Sequence, residues 1–163
     1  MSDVVWVSNA YGDEALIESF TPDISFIDKK EWVERLSRHK AGEAVGEHDF
    51  PKKFQRRFVE DDDAKLPDFF SAGAWWCVSE RFADVARRFD LGGGGLRPIE
   101  LLASDGVTLL PGRFFGLDFN GRKSCLLPEK SRLKPSRYSG VPFVPNDHKD
   151  DDIAVTSAAL EGA

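Results

Sequence analysis

The segment from Leu66 to Phe89, LPDFFSAGAWWCVSERFADVARRF, is the densest apolar and aromatic stretch of the chain. Ala74 to Val78 is uncharged and rich in Trp and Val, which indicates a buried strand. Ser79 can cap a helix by accepting a hydrogen bond from a free amide of the first turn, and Gly92 can end that helix. The segment therefore predicts a strand that runs directly into a helix.

The helix after Ser79 is predicted to have one apolar face. Its apolar residues recur at i, i+3, i+4 and i+7, namely Phe82, Val85, Ala86 and Phe89. We expect one core that joins this face to Trp75 or Trp76 of the strand and to Phe115, Leu117 and Phe119. Truncating Phe89 to Ala is then expected to cost about 3 to 5 kcal/mol.

Strands are predicted to follow the glycine-rich break Gly92–Gly95. Four segments with turn residues between them have strand-like composition: Leu96–Ala103, Val107–Leu110, Phe114–Phe119 and Lys123–Leu127. Asn120 and Gly121 give the strongest hairpin signal, because both residues tolerate the positive φ angles of a type I′ turn. Short connections favour neighbouring antiparallel strands, so these segments predict a meander.

The N-terminal region is predicted to be more helical. Val4–Val7 and Ile24–Ile27 are typical of strands, whereas Ala15–Phe20 fits either a strand or a short helix. Asp28–Lys40 predicts a helix, because Asp28 with Glu31 three residues later has the spacing of a capping box.

Phe50, Phe54 and Phe58 recur every fourth residue, which favours a further helix. Basic residues lie between the rings: Lys52, Lys53, Arg56 and Arg57. Basic residues interleaved with aromatic rings are also typical of single-stranded nucleic-acid surfaces. Packing of the rings in a core is the favoured interpretation.

The predicted fold class is α+β, with an antiparallel β meander packed against one central amphipathic helix and a more helical N-terminal region. We expect a single domain over residues 1–163. It is divided into an N-terminal region over residues 1–60, a strand-helix-meander core over 64–127, a proline-rich basic loop over 128–149, and a C-terminal acidic run with a last strand over 150–163.

Composition narrows the class of partner. A net charge of −6 and a pI near 5.1 argue against a general nucleic-acid or membrane-surface binder and suit a basic partner. No apolar run approaches the roughly 20 residues of a membrane span. Cys77 and Cys125 are expected to be free thiols in a reducing compartment. We therefore expect a cytoplasmic protein. The candidate partner-binding residues form two acidic triplets: Asp61, Asp62 and Asp63, and Asp150, Asp151 and Asp152.

No motif for catalysis is present in the sequence. Gly92–Gly95 follows a predicted helix and precedes a strand, which is the wrong order for a phosphate-binding loop. His48 with Asp49, Asp147 with His148, and the two acidic triplets are the possible ligands of a hard cation such as Mg²⁺. Runs of Asp are usually solvated loops, so we expect no metal, no cofactor and no enzymatic activity.

Several segments together resemble immunity protein family eleven of bacterial polymorphic toxin systems. They are LPDFF, the Trp-containing run that ends in VSERF, RFFGLDF, CLL followed by Ser131, and Ile153–Thr156. The similarity covers roughly residues 60 to 160, and the family continues further at its C-terminal end, so we expect a short member or a fragment.

The resemblance implies a non-catalytic immunity protein that neutralises a cognate toxin, often a nuclease with a basic surface, by covering its active or substrate-binding surface. An acidic inhibitor gains fast, electrostatically steered association with such a partner. Two alternatives remain open. One is a metal-dependent hydrolase that uses the Asp and His clusters, and the weaker one is a nucleic-acid accessory protein that uses the Phe50–Phe58 and Arg122–Arg137 segments.

Overall fold

The computed structural model describes residues 13–26, 28–43, 45–46, 48–61, 65–91, 93–118, 125–135, 143–145 and 153–156. The described residues fall into two compact units, one over residues 13–118 and one over residues 125–156. The predicted strand Val4–Val7 and the predicted hairpin at Asn120 and Gly121 lie outside the described residues.

The first unit is built on a seven-stranded mixed sheet. The strand order is β1-β4-β5-β7-β6-β3-β2, in which β1 with β4 and β3 with β6 are parallel pairs and the others are antiparallel. The strands are β1 Ile17–Glu18, β2 Phe20–Pro22, β3 Lys53–Arg56, β4 Phe69–Ala72, β5 Trp75–Ser79, β6 Gly95–Leu102 and β7 Phe114–Asp118.

The sheet curls into a nearly closed barrel because β1 and β2, the first and last strands of the order, are separated by Ser19 alone. The ring of Phe20 on β2 lies 6.3 Å, centroid to centroid, from the ring of Phe70 on β4. A Cβ atom at Gly73 would lie 2.6 Å from Cδ of Pro22. The two ends of the sheet are therefore packed against each other.

Strand alternation fills the inside of the barrel with large apolar side chains. On β5, for example, Trp75 and Cys77 point inward, and both are completely buried. The same core contains Phe20, Phe54, Phe70, Ala72, Ile99 and Leu101 from the strands, with Ile24, Val45 and Phe50 from the connections. The sheet therefore has an inner face, which lines the core, and an outer face, which is directed away from it.

A tight hairpin joins β4 to β5. Ala72 pairs with Trp75, and the two residues between them, Gly73 and Ala74, have φ angles of 53° and 70°. Positive φ at both central positions is the requirement of a type I′ turn, which matches the twist of the flanking strands. The second half of this hairpin is the strand that the sequence predicted.

Helix α1, Lys29–Lys40, confirms the sequence-based prediction. One carboxylate oxygen of Asp28 accepts hydrogen bonds from the amides of Lys30 at 2.7 Å and Glu31 at 3.2 Å. Trp32 and Leu36 pack against the inner core. The helix therefore covers part of the interior that the strands enclose.

Helix α2, Glu80–Ala86, begins as predicted but buries a different face. The Ser79 hydroxyl accepts a hydrogen bond from the amide of Phe82 at 3.3 Å. Ala83 and Ala86 are the buried residues, and Ala83 packs with Val78 and Phe115 on the outer side of the sheet. Phe82, Val85 and Phe89 are 37%, 49% and 68% exposed. The predicted core face was therefore wrong for these three residues and right for Ala86 alone, because alanine allows the helix backbone to approach the sheet more closely than Phe does.

The predicted fold class was also wrong. The described residues form a mostly β structure, a nearly closed mixed barrel with two α-helices, rather than a meander packed on a central helix. Ile24 lies in a 3₁₀-helix, Asp23–Phe26, and the predicted helix over Phe50–Phe58 contains strand β3 instead. Of the three Phe residues only Phe54 lies in β3; Phe50 precedes the strand and is buried, and Phe58 follows it and is half exposed. Val107–Leu110 contributes one isolated bridge, between Leu102 and Leu109.

The second unit contains two short antiparallel strands, β8 Leu133–Pro135 and β9 Phe143–Pro145, within the segment expected to be a loop. An isolated bridge joins Leu126 to Val155. The Ser131 hydroxyl donates to the carbonyl of Leu127 at 2.8 Å and accepts from the amide of Ala154 at 2.9 Å. Ser131 therefore holds the predicted late apolar segment against the chain that follows Cys125.

Candidate partner-binding surface

Asp61 is the one residue of the two predicted acidic triplets that the structure describes. It is the last residue of a 3₁₀-helix, Val59–Asp61, and is partly exposed. Its amide donates to the carbonyl of Phe58 at 3.3 Å. Asp62, Asp63, Asp150, Asp151 and Asp152 lie outside the described residues.

The closure of the barrel positions Asp61. The amide of Arg57, directly after β3, donates to the carbonyl of Ser19 at 2.9 Å. The chain that leaves β3 therefore passes the link between β1 and β2, and this brings Asp61 near Glu18. Burial raises the pKa of Glu18 most, Arg56 opposes that rise, and the negative charge of Asp61 adds to it. The two carboxylates are thus close enough to influence each other.

Large apolar side chains adjoin these carboxylates. Phe58 is 51% exposed and Val59 is 72% exposed, and Glu60 and Asp61 follow directly in the chain. We call Glu18, Phe58, Val59, Glu60 and Asp61 the acidic-apolar surface. Exposed apolar groups with a polar rim are the usual composition of a protein-binding site. The sequence carries no signal for Phe58 and Val59 as a surface, because the spacing of Phe58 from Phe54 predicts a helix face in the core.

A shallow depression of about 250 Å³ lies beside this surface. It is lined by Thr21, Gln55, Arg56, Arg57 and Ser104. The guanidinium of Arg56 lies 5.4 Å from the centroid of the Phe20 ring, and its side chain is almost fully buried. The lining offers hydroxyl, amide and guanidinium groups and contains no pair of a nucleophile with a base.

A buried ionic cluster lies inside the barrel. His39, at the end of α1, has its Nδ1 atom 3.8 Å from Oδ1 of Asp118, and Nη2 of Arg97 lies 2.8 Å from Oδ2 of the same aspartate. The His39 ring stacks on Trp75 at 4.6 Å. Burial lowers the pKa of His39 most, Asp118 opposes that shift, and Lys40 adds to it. His39 and Asp118 are almost fully excluded from solvent, so this cluster acts on stability rather than on a partner.

The structure describes only some residues of the two alternative functions, and Arg122, Arg137, Asp147 and His148 lie outside the described residues. Asp49 lies 3.6 Å from Nε of Arg35, and within the described ranges no three His, Cys, Asp or Glu side chains are grouped as metal ligands. The rings of Phe50 and Phe54 are buried in the inner core, as the favoured interpretation predicted, and are not part of a nucleic-acid surface. Cys77 and Cys125 are free, as predicted, and burial raises the pKa of the Cys77 thiol.

Neither α1 nor α2 has the length and hydropathy that a membrane-spanning helix needs, as judged from the residues that the structure describes. Comparisons of this chain with protein families, with curated proteins and with solved structures found no match. The resemblance to an immunity family therefore stays a prediction, and the function has to be inferred from the surface.

Proposed function

We propose that this protein is a non-catalytic immunity protein, which binds a cognate bacterial toxin domain and neutralises it by covering its active or substrate-binding surface. The toxin domain is a nuclease with a basic surface in this proposal. The complex forms in the cytoplasm, where the free thiols Cys77 and Cys125 stay reduced.

The observation that carries the proposal is the acidic-apolar surface. Phe58 and Val59 offer apolar anchors, which gain affinity when a partner removes them from water. Glu60 and Asp61 form the rim, where charges mainly raise the association rate with a basic partner. Such a surface needs no catalytic group, because it acts by occlusion.

The test uses as its probe the toxin domain that this proposal expects to be encoded beside this gene. Association and dissociation rates are measured for wild type, for Phe58→Ala with Val59→Ala, and for Glu60→Gln with Asp61→Asn, at several ionic strengths. The apolar pair should raise the dissociation rate at least tenfold, since buried anchors dominate affinity. The acidic pair should lower the association rate and flatten its dependence on salt.

Two matched controls separate the site from general surface effects. Val107→Ala removes an apolar side chain that is 80% exposed in the turn before β7, and Glu34→Gln removes an exposed carboxylate of α1. Both controls should bind like wild type. Equal binding by all four variants would reject the acidic-apolar surface, and failure of the wild-type protein to inhibit the toxin would reject the function.

A further inference from the structure

The outer side of the barrel carries an exposed apolar surface that extends from β1 to α2. Ile17, Ser71 and Trp76 pair in one row across β1, β4 and β5, so they share the outer face. The ring of Phe69 stacks on Trp76 at 4.8 Å and lies 5.6 Å from the ring of Phe82. We call the following six residues the outer apolar surface: Ile17, Phe69, Trp76, Phe82, Val85 and Phe89.

This surface exists because α2 packs through its small residues. Ala83 and Ala86 face the sheet, which leaves Val85 on the solvent side of the helix, and Phe89, three residues after the helix ends, is exposed as well. Ile17 is 65% exposed at the far side of the same surface. Phe69 and Trp76, between Ile17 and α2, are half-buried. Large apolar side chains grouped on one open face are uncommon on a monomer and usually mark a contact surface.

The charges around α2 cancel one another. Three ion pairs lie on and beside the helix: Arg81 with Asp68 at 2.9 Å, Arg87 with Asp84 at 2.6 Å, and Arg113 with Glu80 at 2.5 Å. Arg88 and Asp90 then add one charge of each sign. The region is therefore formally neutral, although the whole chain carries a net charge of −6.

We propose that the outer apolar surface is where two copies of this chain associate. Two acidic copies repel each other through their net charges, and a neutral region is where contact adds no further local repulsion. A two-fold axis across α2 would set the two helices antiparallel, with Phe82 of one copy against Phe89 of the other. A strongly basic partner would gain no electrostatic attraction here, which argues for a second copy as the occupant.

The dimer should be weak. A standard interface buries about 800 Å² on each partner, and six side chains form only the centre of such an area. A dissociation constant in the micromolar range is therefore expected. The proposal goes beyond the proposed function, since it uses none of the five residues of the acidic-apolar surface and requires no toxin.

The test is sedimentation velocity of the purified full chain from low micromolar to millimolar concentration. The sedimentation coefficient of wild type should rise with concentration, and that of Phe89→Glu should stay at the monomer value, because the change places a charge on each side of the contact. Val107→Glu, at an exposed apolar site between β6 and β7, is the control and should behave like wild type.

Ionic strength separates this contact from toxin binding. Added salt should strengthen self-association by screening the net negative charge, whereas it should slow association with a basic toxin. Circular dichroism checks the fold of each variant, and Val85→Glu replaces Phe89→Glu if the latter does not fold. A wild type that stays monomeric at all concentrations overturns the proposal, and so does a folded Phe89→Glu variant that associates like wild type.

Discussion

The ring of Phe50 occupies the space that a Cβ atom on residue 116 would need. Phe50 is buried, and its ring lies edge-on to Trp75 with centroids 4.7 Å apart, so it cannot move aside freely. Gly116→Ala should therefore destabilise the protein by about 1 to 3 kcal/mol through overpacking. Urea denaturation measures the change. Gly95→Ala on the neighbouring strand is the control, because a Cβ atom there meets nothing within 4 Å.

The orientation of α2 predicts opposite effects for two substitutions. Phe89→Ala should change the free energy of unfolding by less than about 1 kcal/mol, since the side chain is mostly exposed. Ala83→Leu should cost about 1 to 3 kcal/mol, because the larger side chain has to fit between α2 and the sheet. A large loss for Phe89→Ala with little loss for Ala83→Leu would restore the helix face that the sequence indicated.

The hairpin between β4 and β5 contains a strained position. Ala74 has a φ angle of 70°, which costs an L-residue about 1 to 2 kcal/mol. Ala74→Gly should remove that strain and stabilise the protein by about 0.5 to 1 kcal/mol, because the greater entropy that glycine gives the unfolded chain offsets only part of the gain. Ala72→Gly, within the strand, should destabilise instead. A thermal melt that ranks the two variants in the reverse order would contradict the turn geometry.

Stability should fall as the pH drops below about 6.5, the ordinary pKa of histidine. The pKa of His39 is lowered in the folded state, so at mildly acidic pH the unfolded chain binds a proton that the folded chain does not. The free energy of unfolding then decreases with falling pH, by at most about 1.4 kcal/mol per pH unit, until the folded-state pKa is reached. His39→Gln should remove this slope between pH 7 and pH 5, and the exposed His48→Gln should leave it unchanged.

Asp118, with its Oδ1 atom 3.8 Å from Nδ1 of His39, should influence the same titration. Its carboxylate opposes the lowering of the His39 pKa, so Asp118→Asn should lower that pKa further. An NMR titration of the His39 ring follows the change directly. A His39 pKa that is unchanged in Asp118→Asn would show that the two side chains are not coupled.

The sequence predicted those elements whose signals are local. Asp28 and Ser79 cap α1 and α2 as expected, and β5, β6 and β7 lie where strand-like composition placed them. A cap needs only a side chain and the amides two or three residues later, so nearby residues determine it. The order of the strands in the sheet depends on contacts between distant segments, and local composition does not encode them.

Two of the wrong predictions arose because the spacing of apolar residues was taken to decide a structure that distant contacts determine. Phe54 belongs to a strand, yet its spacing from Phe50 fits a helix equally well. In the segment of α2, apolar periodicity predicted that Phe82, Val85 and Phe89 form the buried face. The residues that face the sheet are instead the two alanines, Ala83 and Ala86. Exposure of Phe58 and Val59 depends on where the chain leaves β3, so the apolar portion of the candidate site had no local signal.

The short outer strands of the barrel have a further consequence for the protein at high concentration. β1 contains two residues and β2 contains three, of which Pro22 has no amide hydrogen to donate. Edge-to-edge addition of a strand from another molecule needs a longer row of free backbone groups than these two edges provide. The described sheet is therefore protected against templated β aggregation, so contacts between molecules should form through side chains.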